Sequence, residues 1–171
     1  RVIRELDPDK RNVCTGVSFG RGLPRALYLA GVPAISVRNL ESYGLLTKMS
    51  GVRQRRALDV FTRMYTPGEI DEASMVLGHI GQTGVDALTG ADMLKPVPGL
   101  YSSTVEYADD ALAQSLRGIA QVHTAGLDTR VLYAELSGFD THGAQMGTQT
   151  DLLGKVSRAV DDFFADLREH D

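Results

Sequence analysis

Apolar positions fall into short runs over the first forty residues and into longer helical periods after them. Val13-Cys14-Thr15-Gly16-Val17-Ser18-Phe19 reads as a short strand that ends at the turn Gly20-Arg21-Gly22. Pro33-Ala34-Ile35-Ser36-Val37, with β-branched residues and a preceding glycine, reads as a second strand. Between them, Leu23 to Leu29 fits a short helix or an extended loop. Apolar residues at Val52, Leu58, Val60, Phe61 and Met64 predict a helix from Val52 to Tyr65. A second helical stretch opens at Pro67 with Glu69, Asp71 and Glu72 in its first turn, where the helix dipole favours acids. It runs towards Leu94, interrupted by Gly78, Gly81, Gly84 and Gly90, and Pro96-Val97-Pro98-Gly99 then breaks it.

The last third is the most regular. Tyr107 to Ala125 is expected as a helix, with Ala111, Leu112, Leu116, Ile119, Ala120 and His123 near one face and Gly126 as its C-cap. Arg130 to Leu136 is a nearly continuous apolar run, the pattern of a strand covered on both faces. A loop rich in glycine, threonine and glutamine follows. Then Leu152, Leu153, Val156, Val160, Phe163, Phe164 and Leu167 recur at helical spacing, with Thr148 or Thr150 as the expected N-cap. Helix, buried strand, loop, helix predicts an α/β layer architecture with a central, mostly parallel sheet flanked by helices.

Composition narrows the classes. At 171 residues, 43% hydrophobic and 23% charged, the chain suits one globular domain or most of one. The break near residues 95–100 is too short for a linker. A formal net charge of −4 gives no basic footprint, which argues against a nucleic-acid partner. Cys14 is the single cysteine, so neither an intrachain disulfide nor a cysteine-rich metal site is available. No apolar run approaches the roughly 20 residues of a membrane span. Arg1 at the start, and a terminal helix that stops at Asp171 without a cap, suggest a single partial domain truncated at both ends.

The candidate chemistry lies in Ser137-Gly138-Phe139-Asp140-Thr141-His142-Gly143, between the last expected strand and the last helix. Ligands of open α/β sheets bind beyond the carboxyl ends of the strands. Aspartate and histidine are ordinary ligands for zinc and related ions, and the flanking glycines allow a sharp turn or close approach. An Asx-turn at Asp140 beside an exposed loop histidine fits the same pattern equally well. Two ligands do not close a catalytic metal site, which takes about three from the protein.

Other candidates have ordinary explanations. Arg53, Arg55 and Arg56 form either an anion site or, as charge runs usually do, a solvated helix face. His79 sits in a glycine-rich helical stretch, His123 in a last helical turn, and His170 at the frayed end of the chain. Gly16-Val17-Ser18-Phe19-Gly20 matches the spacing of a nucleophile elbow, but such a serine needs a strand-to-helix turn, whereas Ser18 reads as strand interior. Neither a P-loop nor a dinucleotide fingerprint is present.

Arg130-Val131-Leu132-Tyr133, then Ser137 to Gln145, Leu152-Leu153 and the helix through Phe163-Phe164-Ala165-Asp166-Leu167, resemble the bacterial family catalogued as domain of unknown function 1501. The helix from Tyr107 to Gly126 and, more weakly, Leu23-Pro24-Arg25-Ala26-Leu27 look like it too. The family is similar to the alkaline phosphatase and sulfatase superfamily. The resemblance therefore implies that fold, export to the periplasm, and a metal-dependent hydrolase acting on small phosphate or sulfate esters. It implies Asp140 and His142 as metal ligands, with Thr141 and Gln145 as supporting or substrate contacts. The metal would be divalent, zinc first, with calcium or magnesium as alternatives. The family's early glycine-asparagine-aspartate segment and its later Asp-His pair have no counterpart here, so the site is expected to be incomplete within this chain. The alternative is a non-catalytic binding or structural domain that keeps the fold without turnover.

Overall fold

The computed structural model describes residues 5, 12–28, 33–43, 51–65, 74–143 and 145–170. Strands β1 (Gly16–Phe19), β2 (Ile35–Val37) and β3 (Val131–Ala134) form one parallel sheet in the order β2-β1-β3. Around it lie helices α1 (Gly51–Tyr65), α2 (Ser74–Leu94), the single turn α3 (Val97–Leu100), α4 (Ala111–Thr124) and α5 (Gln145–His170). The molecule is thus mixed α/β with a small parallel sheet and flanking helices.

The register explains the core. Val17 stands opposite both Ile35 and Leu132, and Phe19 opposite both Val37 and Ala134. With a side-chain period of two, these six share one sheet face. They pack there with Ile119 and Val122 of α4, Leu94 of α2, and Val97. On the other face, Val131 and Tyr133 pack under Leu23 and Leu27. The segment from Leu23 is a turn, not a helix, held by Leu27 N–H donating to the Pro24 carbonyl.

Close approach needs glycine at two places. A Cβ on Gly118 of α4 would run into the Phe19 ring, and one on Gly90 of α2 into Ile35 Cδ1. Gly90, expected to interrupt its helix, instead sits in a continuous α2 and lets it settle on β2.

Several boundaries differ from those expected. The first strand is shorter because Val13 to Thr15 form a turn: Cys14 N–H donates to Asn12 Oδ1 at 2.8 Å, and Thr15 N–H to the Asn12 carbonyl. Helix α4 starts at Ala111, not Tyr107, because Asp110 caps it, accepting from the N–H groups of Leu112 and Ala113 at 3.0 Å. Gly126 does take the left-handed conformation of a helix stop, at φ 66°. The run from Arg130 to Leu136 shortens to Val131–Ala134 and is only half-buried, because β1, not β3, is the middle strand among the described residues. Helix α5 starts at Gln145, ahead of Thr148 and Thr150. Thr150 caps nothing; its hydroxyl donates back to the Met146 carbonyl at 2.7 Å. The break at Pro96 to Gly99 holds α3. The expected helix start at Pro67, Glu69, Asp71 and Glu72 lies outside the described residues. No helix among the described residues is long and apolar enough to cross a membrane.

Candidate functional site

Because the three strands are parallel, their carboxyl ends share one edge of the sheet, and the segment leaving β3 passes from that edge to α5. Gly138 takes φ 102°, a conformation that side chains resist, and turns the backbone there. Thr141 N–H donates to the Phe139 carbonyl at 3.1 Å, tightening the loop between Asp140 and His142.

That loop brings the two expected ligands together. Asp140 Oδ1 and His142 Nε2 lie 3.5 Å apart, with side chains 92% and 89% exposed. Two ligands each about 2 Å from one tetrahedral ion lie roughly 3.3 Å apart, and the same separation suits a direct carboxylate–imidazole contact. The Thr141 hydroxyl between them is buried and has no hydrogen-bond partner among the described residues. Gln145 begins α5 and is exposed. Among the described residues, no group of three or more His, Cys, Asp or Glu is placed to hold a metal ion. The pair as it stands is two donors on an open rim.

The remaining candidates sort by burial. Ser18 lies in the middle strand, paired on both sides and 1% exposed, so no substrate reaches its hydroxyl and the elbow reading fails. Arg53, Arg55 and Arg56 are all exposed, as a solvated face requires. His79 and His123 are exposed as well. Cys14 is fully buried against Met93, and burial pushes its thiol up to about 11, so it is no nucleophile at neutral pH.

His170 is not frayed. Its Nε2 lies 3.3 Å from Asp166 Oδ1, and its ring packs 5.4 Å from that of Tyr101. Asp166, which the sequence reading passed over, is the only buried acid among the described residues. It is fully buried and accepts from the Tyr101 hydroxyl at 2.5 Å and the Tyr107 hydroxyl at 2.6 Å. One turn on, Glu169 accepts from Ser103 Oγ at 2.8 Å, from Thr104 N–H at 2.9 Å, and from the Thr104 hydroxyl. Burial raises the Asp166 carboxyl, but hydrogen bonds from Tyr101 and Tyr107, with the nearby His170, outweigh it and hold Asp166 below its ordinary value. Burial first, and then the bond to Asp166, push the Tyr101 hydroxyl up to about 12 and that of Tyr107 further still.

A signal for this cluster was available. The buried line of α5 runs Leu152, Val156, Ala159, Phe163, Asp166, at steps of four and three. An acid on such a line must find donors.

Compared with known proteins, the chain matches no family model, no curated protein and no solved structure.

Proposed function

We propose that this chain contributes Asp140 and His142 to the metal centre of an exported α/β hydrolase acting on small phosphate or sulfate esters. The reading rests on the resemblance in the last third of the chain. The observation that carries it is the convergence of a carboxylate oxygen and an imidazole nitrogen to 3.5 Å on a solvent-facing loop. A divalent ion held there would supply Lewis-acid polarisation of the ester and an activated hydroxyl nucleophile. Asp140 would bind through its carboxylate and His142 through Nε2, while Thr141 and Gln145 would orient the pair or meet the substrate. The missing ligands would come from groups outside the described residues.

Metal content of the purified protein, wild type against Asp140→Ala and His142→Ala, tests this. Each substitution is expected to lower bound zinc at least tenfold; equal metal in all three proteins ends the proposal. A second reading, a domain that keeps the fold without turnover, is favoured by the absence of a third ligand near the pair among the described residues. It expects no stoichiometric metal in the wild type.

A further inference from the structure

Residues 101–107 leave α3 towards α4 without regular secondary structure and bend at Thr104, with Ser102, Thr104 and Glu106 exposed. Among the described residues, no bond between main-chain groups ties this segment to the rest of the fold. Its attachments are five hydrogen bonds to two carboxylates. Tyr101 and Tyr107, at its two ends, both donate to Asp166 Oδ2; Ser103 and Thr104, between them, donate to Glu169. Asp166 and Glu169 are three residues apart and so share one side of α5. What remains is packing: the Tyr107 ring lies against the cluster of Leu112, Ala113 and Ala159, and Tyr101 lies against His170.

We infer that residues 101–107 form a strap that opens and closes as one unit, latched to the last turns of α5 by Asp166 and Glu169. A segment with few buried contacts and no main-chain-to-main-chain hydrogen bonds to its neighbours is of the kind that opens below the free energy of global unfolding. Opening would uncover the otherwise sealed Asp166 carboxylate together with two phenols. The inference is independent of the proposed ester hydrolysis.

Unit behaviour has a direct readout. Thr104 N–H donates to Glu169, and Val105 N–H to Ser103 Oγ; neither touches Asp166. Amide exchange at neutral pH, resolved residue by residue by NMR, should therefore quicken at Thr104 and Val105 in Asp166→Asn. The expected rise is on the order of 10- to 100-fold, since a hydrogen bond to a charged group contributes about 1.5–3 kcal/mol. Protection at Ile119 and Val122 of α4 should persist. Should Asp166→Asn not fold, Tyr107→Phe removes one hydroxyl and should give a smaller rise at the same two amides. Unchanged exchange at Thr104 in a folded variant would show two separate tethers and overturn the strap. So would Thr104 exchanging at the rate of Val122 in the wild type, which would tie its opening to global unfolding.

Discussion

Asp140 and His142 share a loop with side chains 92% and 89% exposed, whereas Asp166 and His170 share the last turns of α5 at 0% and 23%. The chemical groups are the same, and their separations are close, at 3.5 and 3.3 Å. Water solvates both members of the first pair and weakens their interaction, so folding gains little from it. The second pair has lost most of its water, and a buried carboxylate needs protein groups in its place. Two tyrosine hydroxyls supply them at Asp166 Oδ2, while Oδ1 faces the His170 imidazole. The first pair is free to bind something else; the second is committed to the fold.

The contrast breaks most visibly if Asp166 can be removed without loss. Asp166→Ala leaves two tyrosine hydroxyls and an imidazole facing an apolar gap, and should destabilise by about 3 kcal/mol. In a chain of this size that is a melting temperature lower by roughly 6–12 °C. Tyr107→Phe removes one donor of the set and should lower stability by about 1 kcal/mol. Thermal unfolding checks both, and an Asp166→Ala protein that melts with the wild type would put the two pairs in one class.

The sequence was readable to the same uneven degree. Long periodic stretches and the Gly126 stop were legible because helix period and left-handed glycine leave local signatures. The α/β alternation and parallel sheet followed from the same pattern. Asp140 and His142 stood out because they are near neighbours in a glycine-flanked loop. Asp166 did not, because its partners lie 59 and 65 residues away along the chain. The reading also set Leu153, Val160 and Phe164 on the apolar stripe of α5, where they are exposed, and missed Ala159, which is buried. Counting apolar residues alone favours large side chains, whereas the buried line of α5 takes a small one, Ala159, at its centre. Asn12 was equally hidden. Its amide donates to the Leu127 carbonyl at 2.8 Å, joining the turn before β1 to the approach of β3 across 115 positions.

Acid and alkali sharpen the comparison with smaller effects. Asp166 is held below its ordinary value, so its contribution is intact above about pH 4 and is lost as pH falls through its lowered folded value. Tyr101 and Tyr107 are raised, so their contribution is intact below about pH 10 and is lost as pH rises through about 12, the folded value for Tyr101. Asp166→Asn should flatten the acid limb of stability against pH. Chemical denaturation across the pH range, with tyrosine absorbance on the alkaline side, reads both limbs. An acid limb unchanged in a folded Asp166→Asn protein would place the proton-linked stability elsewhere.

The smallest expected effect is the most discriminating. Asp140→Ala and His142→Ala each remove a side chain that is about nine-tenths exposed, and should shift stability by no more than about 0.5 kcal/mol in metal-free buffer. A loop maintained only for its own geometry would behave the same with or without zinc. A loop that holds an ion should instead show a wild-type melting temperature that climbs as zinc is added, since a ligand that binds only the folded state stabilises it by mass action. That climb should vanish in either variant and survive in His170→Ala, which removes the committed imidazole and spares the exposed one. Zinc-dependent stabilisation that disappears with His170 but persists without His142 would reverse the roles of the two pairs.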